Sequence, residues 1–359
     1  MAAIAKPRAH VNTSPFYSVQ LRKFGTYALV TLIASAILFL FLMPFVDMTL
    51  TSIKSDSQVK EDGGAIFPQE PRTYTYQGTA YPIYIVTIDG VSKEMALVNK
   101  RRKDSDFVDP ANPAAGLIKW EGNWRDLQAA NVFSPHFENF GTVWEKINFP
   151  QVFMNTLLIA VIGMIGTLLS SICVAYAFAR FPIPGKNAMF LVLLGTIILP
   201  SQVTLIPTYA FFAKIGWTGS WLPLLVPHFF ANAYNVFLLR QYFMTLPRAL
   251  DEAAMIDGAG PLRVLLSVII PQSWPAIISV ALFHFVFAWN DYFGPLIYLL
   301  GKDNLQPISV AVQIFNFRYG PQPHLQQATS LISMLLPVFL FFIAQRFFMR
   351  GVVITGVEK

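Results

Sequence analysis

One carboxylate, Asp291, stands inside an otherwise uncharged apolar run, next to Trp289 and Asn290. An ionisable group at such a position is costly, and it either marks a solute pathway or serves as a buried carboxylate paired with a neighbouring helix. Both readings are open for Asp291. Gln202 and Thr204, beside Pro200, pose the same choice between facing a channel and bonding across helices. Asn155, at the start of another apolar run, reads as a helix cap. The five histidines, at 10, 136, 228, 284 and 324, are dispersed and suggest no metal site. Cys173 is the single cysteine and sits in an apolar stretch, where a small buried residue is expected. Paired carboxylates, a Ser/His arrangement and metal-ligand spacing are all missing, so no catalytic residue is assigned. A phosphate-binding loop is missing too. Gly185-Lys186-Asn187 lacks both the leading glycine and the hydroxyl residue, so no nucleotide-binding loop is assigned.

A different kind of chemistry is encoded at 246–271, LPRALDEAAMIDGAGPLRVLLSVIIP. Pro247 and Pro261 suit the first position of a helix. Between them Arg248–Ile256 predicts a short helix made slim by Ala249, Ala253 and Ala254. Gly258 and Gly260 permit a sharp turn before a second short helix. The product is an elbow with a small-residue face that can enter a partner's groove. The residues alone leave an interfacial hairpin without a partner equally open.

These residues must be positioned by membrane helices. Hydrophobic residues make up 54% of 359 positions and charged residues only 13%, about half the share in an ordinary soluble domain. Six apolar runs, at 24–46, 152–179, 188–212, 221–239, 274–300 and 328–348, are each about long enough to cross a bilayer. Pro200, Pro207, Pro223, Pro227, Pro295 and Pro337 lie within them, as kinks or as opened backbone lining a pathway. The net charge of +6 is no sign of nucleic-acid binding. Positions 47–150 hold 11 basic and 14 acidic residues, a local charge of −3, which leaves +9 at the ends of apolar runs. Lys6, Arg8, Arg22, Lys23, Arg180, Lys186, Arg240, Arg248, Arg263, Arg346, Arg350 and Lys359 collect on one side. Lys214, Lys302 and Arg318 are on the other. By the positive-inside rule both termini are cytoplasmic, and the first run is a retained anchor.

The loop at 47–150 is too long for a connector. Two β-rich runs flank Asp89-Gly90, a strong two-residue hairpin signal, and the basic run 100–103 reads as a charged turn. A small β-containing subdomain on the outer face is expected, with Trp120 and Trp124 in it.

The pattern Glu252-Ala253-Ala254, then Gly258, then Val268-Ile269-Ile270-Pro271 resembles the EAA loop of binding-protein-dependent ABC importer permeases. Asn155-Thr156-Leu157, AYAFARF at 175–181, ILPSQVTLIPTY at 198–209 and WNDYFGPLIY at 289–298 look like the maltose-type carbohydrate permeases, in particular their smaller six-span subunit. The resemblance implies an all-α, type I importer permease with a β-containing extracytoplasmic insert. It divides the chain into a cytoplasmic segment 1–23, helix 24–46, insert 47–150, core 151–348 with coupling loop 243–272, and cytoplasmic tail 349–359. It implies that Glu252, Ala253, Ala254, Asp257, Gly258 and Pro271 couple to an ATPase, with the tail inserting near the ATPase dimer interface. The implied partners are a second homologous permease subunit, an ATP-binding-cassette ATPase dimer that binds ATP and Mg, an external solute-binding protein and the lipid bilayer. This chain is then no enzyme and holds no cofactor. Its place is the bacterial cytoplasmic membrane, and its cargo is a sugar or oligosaccharide. A secondary transporter or channel, or an importer of a non-sugar solute, is the competing reading.

Overall fold

The computed structural model describes residues 15–60, 65–88, 90–317 and 320–353. The chain opens with α1, Pro15–Ser52, whose 38 residues reach about 57 Å at 1.5 Å per residue. Its apolar side chains are bare, with Phe39, Leu40 and Phe41 about 70% exposed. Such a surface needs lipid or another subunit to cover it.

After α2 (Asp56–Lys60) come seven strands: β1 Gln69–Pro71, β2 Thr73–Tyr76, β3 Thr79–Ile88, β4 Val91–Asn99, β5 Asp104–Val108, β6 Leu117–Glu121 and β7 Asn131–Phe133. Strands β2 to β6 form an antiparallel meander, and β1 pairs with β7. β3 and β4 join through two residues, with Ile88 opposite Val91 and Gly90 at φ +78°; Asp89 lies outside the described residues. Val86, Met95, Leu97 and Phe107 are buried beneath Tyr84, Trp120 and Trp124. The basic run is held by the sheet itself. Arg101 pairs with Asp104 at 3.5 Å and Asp106 at 3.2 Å, and Lys100 lies over the Trp124 ring. The Asn139 amide ties the returning chain to α1 by donating to the carbonyls of Ser52 and Lys54, both at 2.9 Å.

α3 (Glu138–Lys146) leads to α4 (Phe149–Arg180), a 32-residue rod against which most of the bundle packs. Asn155 is no cap. It lies inside α4, and its amide donates to the carbonyls of Asn304 and Gln306 at 2.9 and 3.0 Å. Thr156 beside it accepts the Ile308 N–H at 2.9 Å. Cys173 is exposed on α4 rather than buried, because apolar residues of a membrane helix are satisfied facing outward as well as inward.

The expected single run at 188–212 is two helices, α5 (Lys186–Ile198) and α6 (Ser201–Lys214), with a 97° bend between Lys186–Ile198 and Val203–Lys214. Pro200 has no N–H and pushes Leu199 into extended backbone, ψ 117°, which ends the first helix. The run at 221–239 also breaks, into α7 (Leu222–Leu225), a 3-10 turn at Val226–Phe229 with Pro227 near its start, and α8 (Ala233–Thr245). Then follow α9 (Arg248–Ile256), α10 (Pro261–Val264), a π turn at Leu265–Ile269, α11 (Ile270–Gln272) and α12 (Trp274–Trp289). The run at 274–300 stops at Trp289 and resumes as α13 (Phe293–Tyr298). α14 (Ile308–Ala311), α15 (Ile314–Phe317) and the long α16 (Pro323–Val353) complete the fold. Among the described residues, four stretches are long and apolar enough to span a bilayer singly. Two bent pairs, at 186–214 and 261–289, pass the same test only when joined.

Candidate functional site

The elbow hangs at the end of α4 opposite the sheet. α9 begins just after Pro247, so this proline precedes the helix instead of opening it, whereas Pro261 does open α10. α9 ends in a Schellman cap: the Gly258 N–H donates to Met255 O at 3.0 Å, and Ala259 N–H donates to Ala254 O at 2.9 Å. This geometry requires a left-handed residue, and Gly258 has φ +79°. A Cβ there would meet nothing within 4 Å, so conformation alone demands glycine. Gly260, at φ −73° and ψ 168°, is ordinary extended backbone and needs no glycine to make the turn.

The two faces of α9 differ. Asp251 and Ala254, one turn apart, look inward, and Ala254 and Ala259 pack against the bundle core with Val264 and Ile269. Glu252, Ala253, Asp257 and Gly258 are exposed, and Glu252 makes no ion pair among the described residues. Ile256 is 86% exposed, and Met255, Leu262 and Leu266 are bare beside it. The expected contact face therefore keeps Ala253 but loses Ala254, which supports the protein's own core. Pro271 lies in the α11 turn between the elbow and α12, beyond this face.

A polar pin joins the inner face to α4. Arg180 Nε lies 2.8 Å from Asp251 Oδ2, with the two side chains only 6% and 7% exposed. The guanidinium also donates to Leu246 O at 3.0 Å, and the Tyr176 hydroxyl donates to Pro261 O at 3.2 Å. Sequence reasoning missed this pin, reading Arg180 only as a topology charge. No local signal pointed to it, since Arg180 and Asp251 lie far apart in sequence.

The pathway candidates are not brought together. Trp289 is buried, and its indole N–H donates to Ser333 O at 3.2 Å, clamping α12 to α16. Asn290 Nδ2 donates back to Val286 O at 2.8 Å and closes α12. Asp291 lies between α12 and α13, and its Oδ1 accepts the N–H of Gly294 in α13 at 3.3 Å; among the described residues it makes no ion pair. Trp289 and Asn290 border a cleft of about 430 Å³ that also touches Phe45, Ser309 and Met334. Thr204 sits half-buried on α6, its carbonyl accepting the Thr208 hydroxyl at 2.8 Å, and it does not line that cleft. The side chain of Gln202, and the tail beyond Val353, lie outside the described residues.

The elbow and the end of α4 that pins it lie in a shared stretch of sequence. Residues 166–354 match the family model described as the binding-protein-dependent transport system inner membrane component. The chain belongs to this family. The osmoprotective compounds uptake permease protein GgtD of Synechocystis is 32% identical over 260 residues, covering 70% of this chain and 85% of that protein. The alpha-glucoside transport system permease protein AglG of Rhizobium meliloti is 29% identical, covering 62% of this chain and 60% of that one. In structure the chain is similar to a bacterial ABC transporter involved in the import of the acidic polysaccharide alginate, with TM-score 0.63 at 20% identity. That match covers 93% of this chain and 100% of the other. The fold is the type I importer permease fold, and the chain is a membrane transport component, not an enzyme. Membership of this family sets aside a secondary transporter or channel.

Proposed function

We propose that this chain is the smaller permease subunit of an ATP-driven sugar importer, forming half of a pathway completed by a second homologous permease subunit. In this reading each bent pair counts as one span, six in all, and both termini are cytoplasmic. Arg180, Lys186, Arg240, Arg248 and Arg263, gathered at one end of the spans, support that orientation. The sheet is then extracytoplasmic and meets the solute-binding protein. The elbow lies in the cytoplasm of a bacterial cell, where Glu252, Ala253, Asp257 and Gly258 dock on an ATP-binding-cassette ATPase dimer. That partner binds ATP and Mg. The observation that carries the reading is the elbow's two-sidedness: a small, apolar outer face around Ala253 and Ile256, and an inner face pinned to α4 by Asp251 and Arg180.

A sugar cargo is supported by the alpha-glucoside relative. The relative named for osmoprotective compounds admits a second reading, an osmoprotectant that is not a sugar. The test is the importer assembled from this chain with its sister permease, ATPase and solute-binding protein. In proteoliposomes it should take up radiolabelled maltose or trehalose with ATP and the binding protein. Uptake of glycine betaine alone overturns the sugar cargo, and failure of the ATPase to copurify overturns the coupling role.

A further inference from the structure

The break between α7 and α8 holds polar groups that neither the elbow nor the sheet uses. α8 resumes at Ala233 after a cap by Asn232, whose Oδ1 accepts the N–H groups of Tyr234 and Asn235 at 3.0 and 3.3 Å. Broken backbone at membrane depth persists only where it is buried in protein or lines a cavity. Here it lines one of about 380 Å³, with His228, Asn232, Tyr234 and Asn235 on one side and His284 and Phe287 of α12 on the other.

The rod α4 makes room for it. A Cβ on Gly163 would sit 3.1 Å from His228 Cδ2 and 3.2 Å from His284 Nε2, so a side chain there would press both imidazoles back by a few tenths of an ångström. The two rings meet edge to face with centroids 4.6 Å apart. Ser170 Oγ lies 3.2 Å from the His228 carbonyl oxygen and supports the irregular turn. Asn235 is the telling residue. As a residue it is 5% exposed, no hydrogen bond holds its side-chain amide among the described residues, and it borders the cavity. The amide is free to donate to and accept from what enters there.

The wall contains no Lys, Arg, Asp or Glu. An anionic or cationic solute would therefore lose its water without gaining a counter-charge. Amides and imidazoles both donate and accept, as hydroxyl groups do, and an aromatic ring covers an apolar face. We propose that this cavity is a solute site within this subunit for a neutral polyhydroxylated molecule, a sugar or glycoside, held through Asn235 and His228 against Phe287. The proposal deepens the sugar-importer reading and rests on it.

The experiment uses the complete importer in proteoliposomes, with maltose and trehalose as neutral probes and sn-glycerol 3-phosphate as the anionic one. Asn235→Leu should raise the KM for the neutral solute about tenfold, the worth of one good hydrogen bond. Asn235→Gln should recover part of the loss. Phe287→Ala alters a residue that is 65% exposed, and it should raise KM even if Asn235→Leu fails to assemble. Unchanged neutral-solute kinetics in both Asn235→Leu and Phe287→Ala overturn the site while leaving the importer reading intact. A wild-type importer that carries only the anionic probe overturns the ligand class, and one that carries none of these sugars overturns the sugar reading itself.

Discussion

Cutting the pin between α4 and the elbow separates a structural tether from a neutral surface feature. The Arg180–Asp251 pair is 2.8 Å long and almost wholly buried. Removing one partner of such a pair leaves the other charge buried and alone, which costs about 3–5 kcal/mol. Asp251→Ala should therefore destabilise the elbow by that amount. If docking requires the pinned conformation, even 3 kcal/mol corresponds to a loss of roughly 150-fold in affinity for the ATPase. Replacing both partners with apolar residues of similar size, Arg180→Met with Asp251→Leu, removes the stranded charge. Buried pairs exchanged this way are often neutral in stability. The assay is a double-mutant cycle on thermal unfolding in detergent, run beside a pull-down of the ATPase. Coupling predicts that the double variant melts well above either single. If the double variant loses as much as the two singles combined, the groups do not interact and the pin is a coincidence of packing. If Asp251→Ala melts and binds like the wild type, the tether has no mechanical role.

Gly258→Val should release or uncouple the ATPase, since its left-handed backbone costs an L-residue about 1–2 kcal/mol and a β-branched one more. Gly258→Ala should be milder, and equal binding by Gly258→Val in a pull-down removes the cap from the argument. Ala253→Leu should block ATPase binding with an unchanged melting temperature. Ala254→Leu should lower the melting temperature first, because it faces the core; the reverse pattern would exchange the two faces. At the sheet's junction with α3, burial lowers the affinity of His136 for its proton. The hydrogen bond that the protonated ring donates to Glu138 and the charges of Glu70 and Glu138 outweigh it, so the pKa is raised. A raised folded-state pKa contributes stability that is complete below the unfolded value of about 6.5 and fades as pH rises through the folded one. Amide exchange around 131–138 should thus quicken from pH 6 to pH 8 beyond its intrinsic rate. His136→Phe should flatten that extra change, and an equal pH dependence in the variant refutes the role of His136.

Some of this was legible in one dimension because the signals are local. Pro247 and Gly258 bracket α9, and both act on their own backbone. The two-residue connection after Ile88 follows from turn chemistry in the same way. Pro200 was legible as a kink or opened backbone, but not as a full 97° turn, because apolar residues flank it on both sides and a hydropathy window averages across it. Asn155 looked like a cap because it opens an apolar run, but its partners are carbonyls brought in from the loop after α13. The Arg180–Asp251 pair joins residues far apart in sequence, and no spacing rule relates them. The inward turn of Ala254 was hidden for a similar reason. An alanine-rich helix has no apolar stripe strong enough to tell which alanine faces the core.

These far contacts share one element. At its first end α4 grips the 303–308 loop through Asn155 and Thr156. At its middle, Gly163 admits His228 and His284, and a Cβ on Gly166 would come within 2.7 Å of Phe229. At its last end Tyr176 and Arg180 hold the elbow. An α-helix of this length is about 48 Å long and stiff along its axis. If α4 moves as one body, a displacement imposed on Asp251 reaches the glycine contacts, where the neighbours are two imidazoles and a phenyl ring. The proposed cavity sits at that same level. Closing the elbow and reshaping the solute site would then be one motion, with the glycines of α4 as its bearing surface.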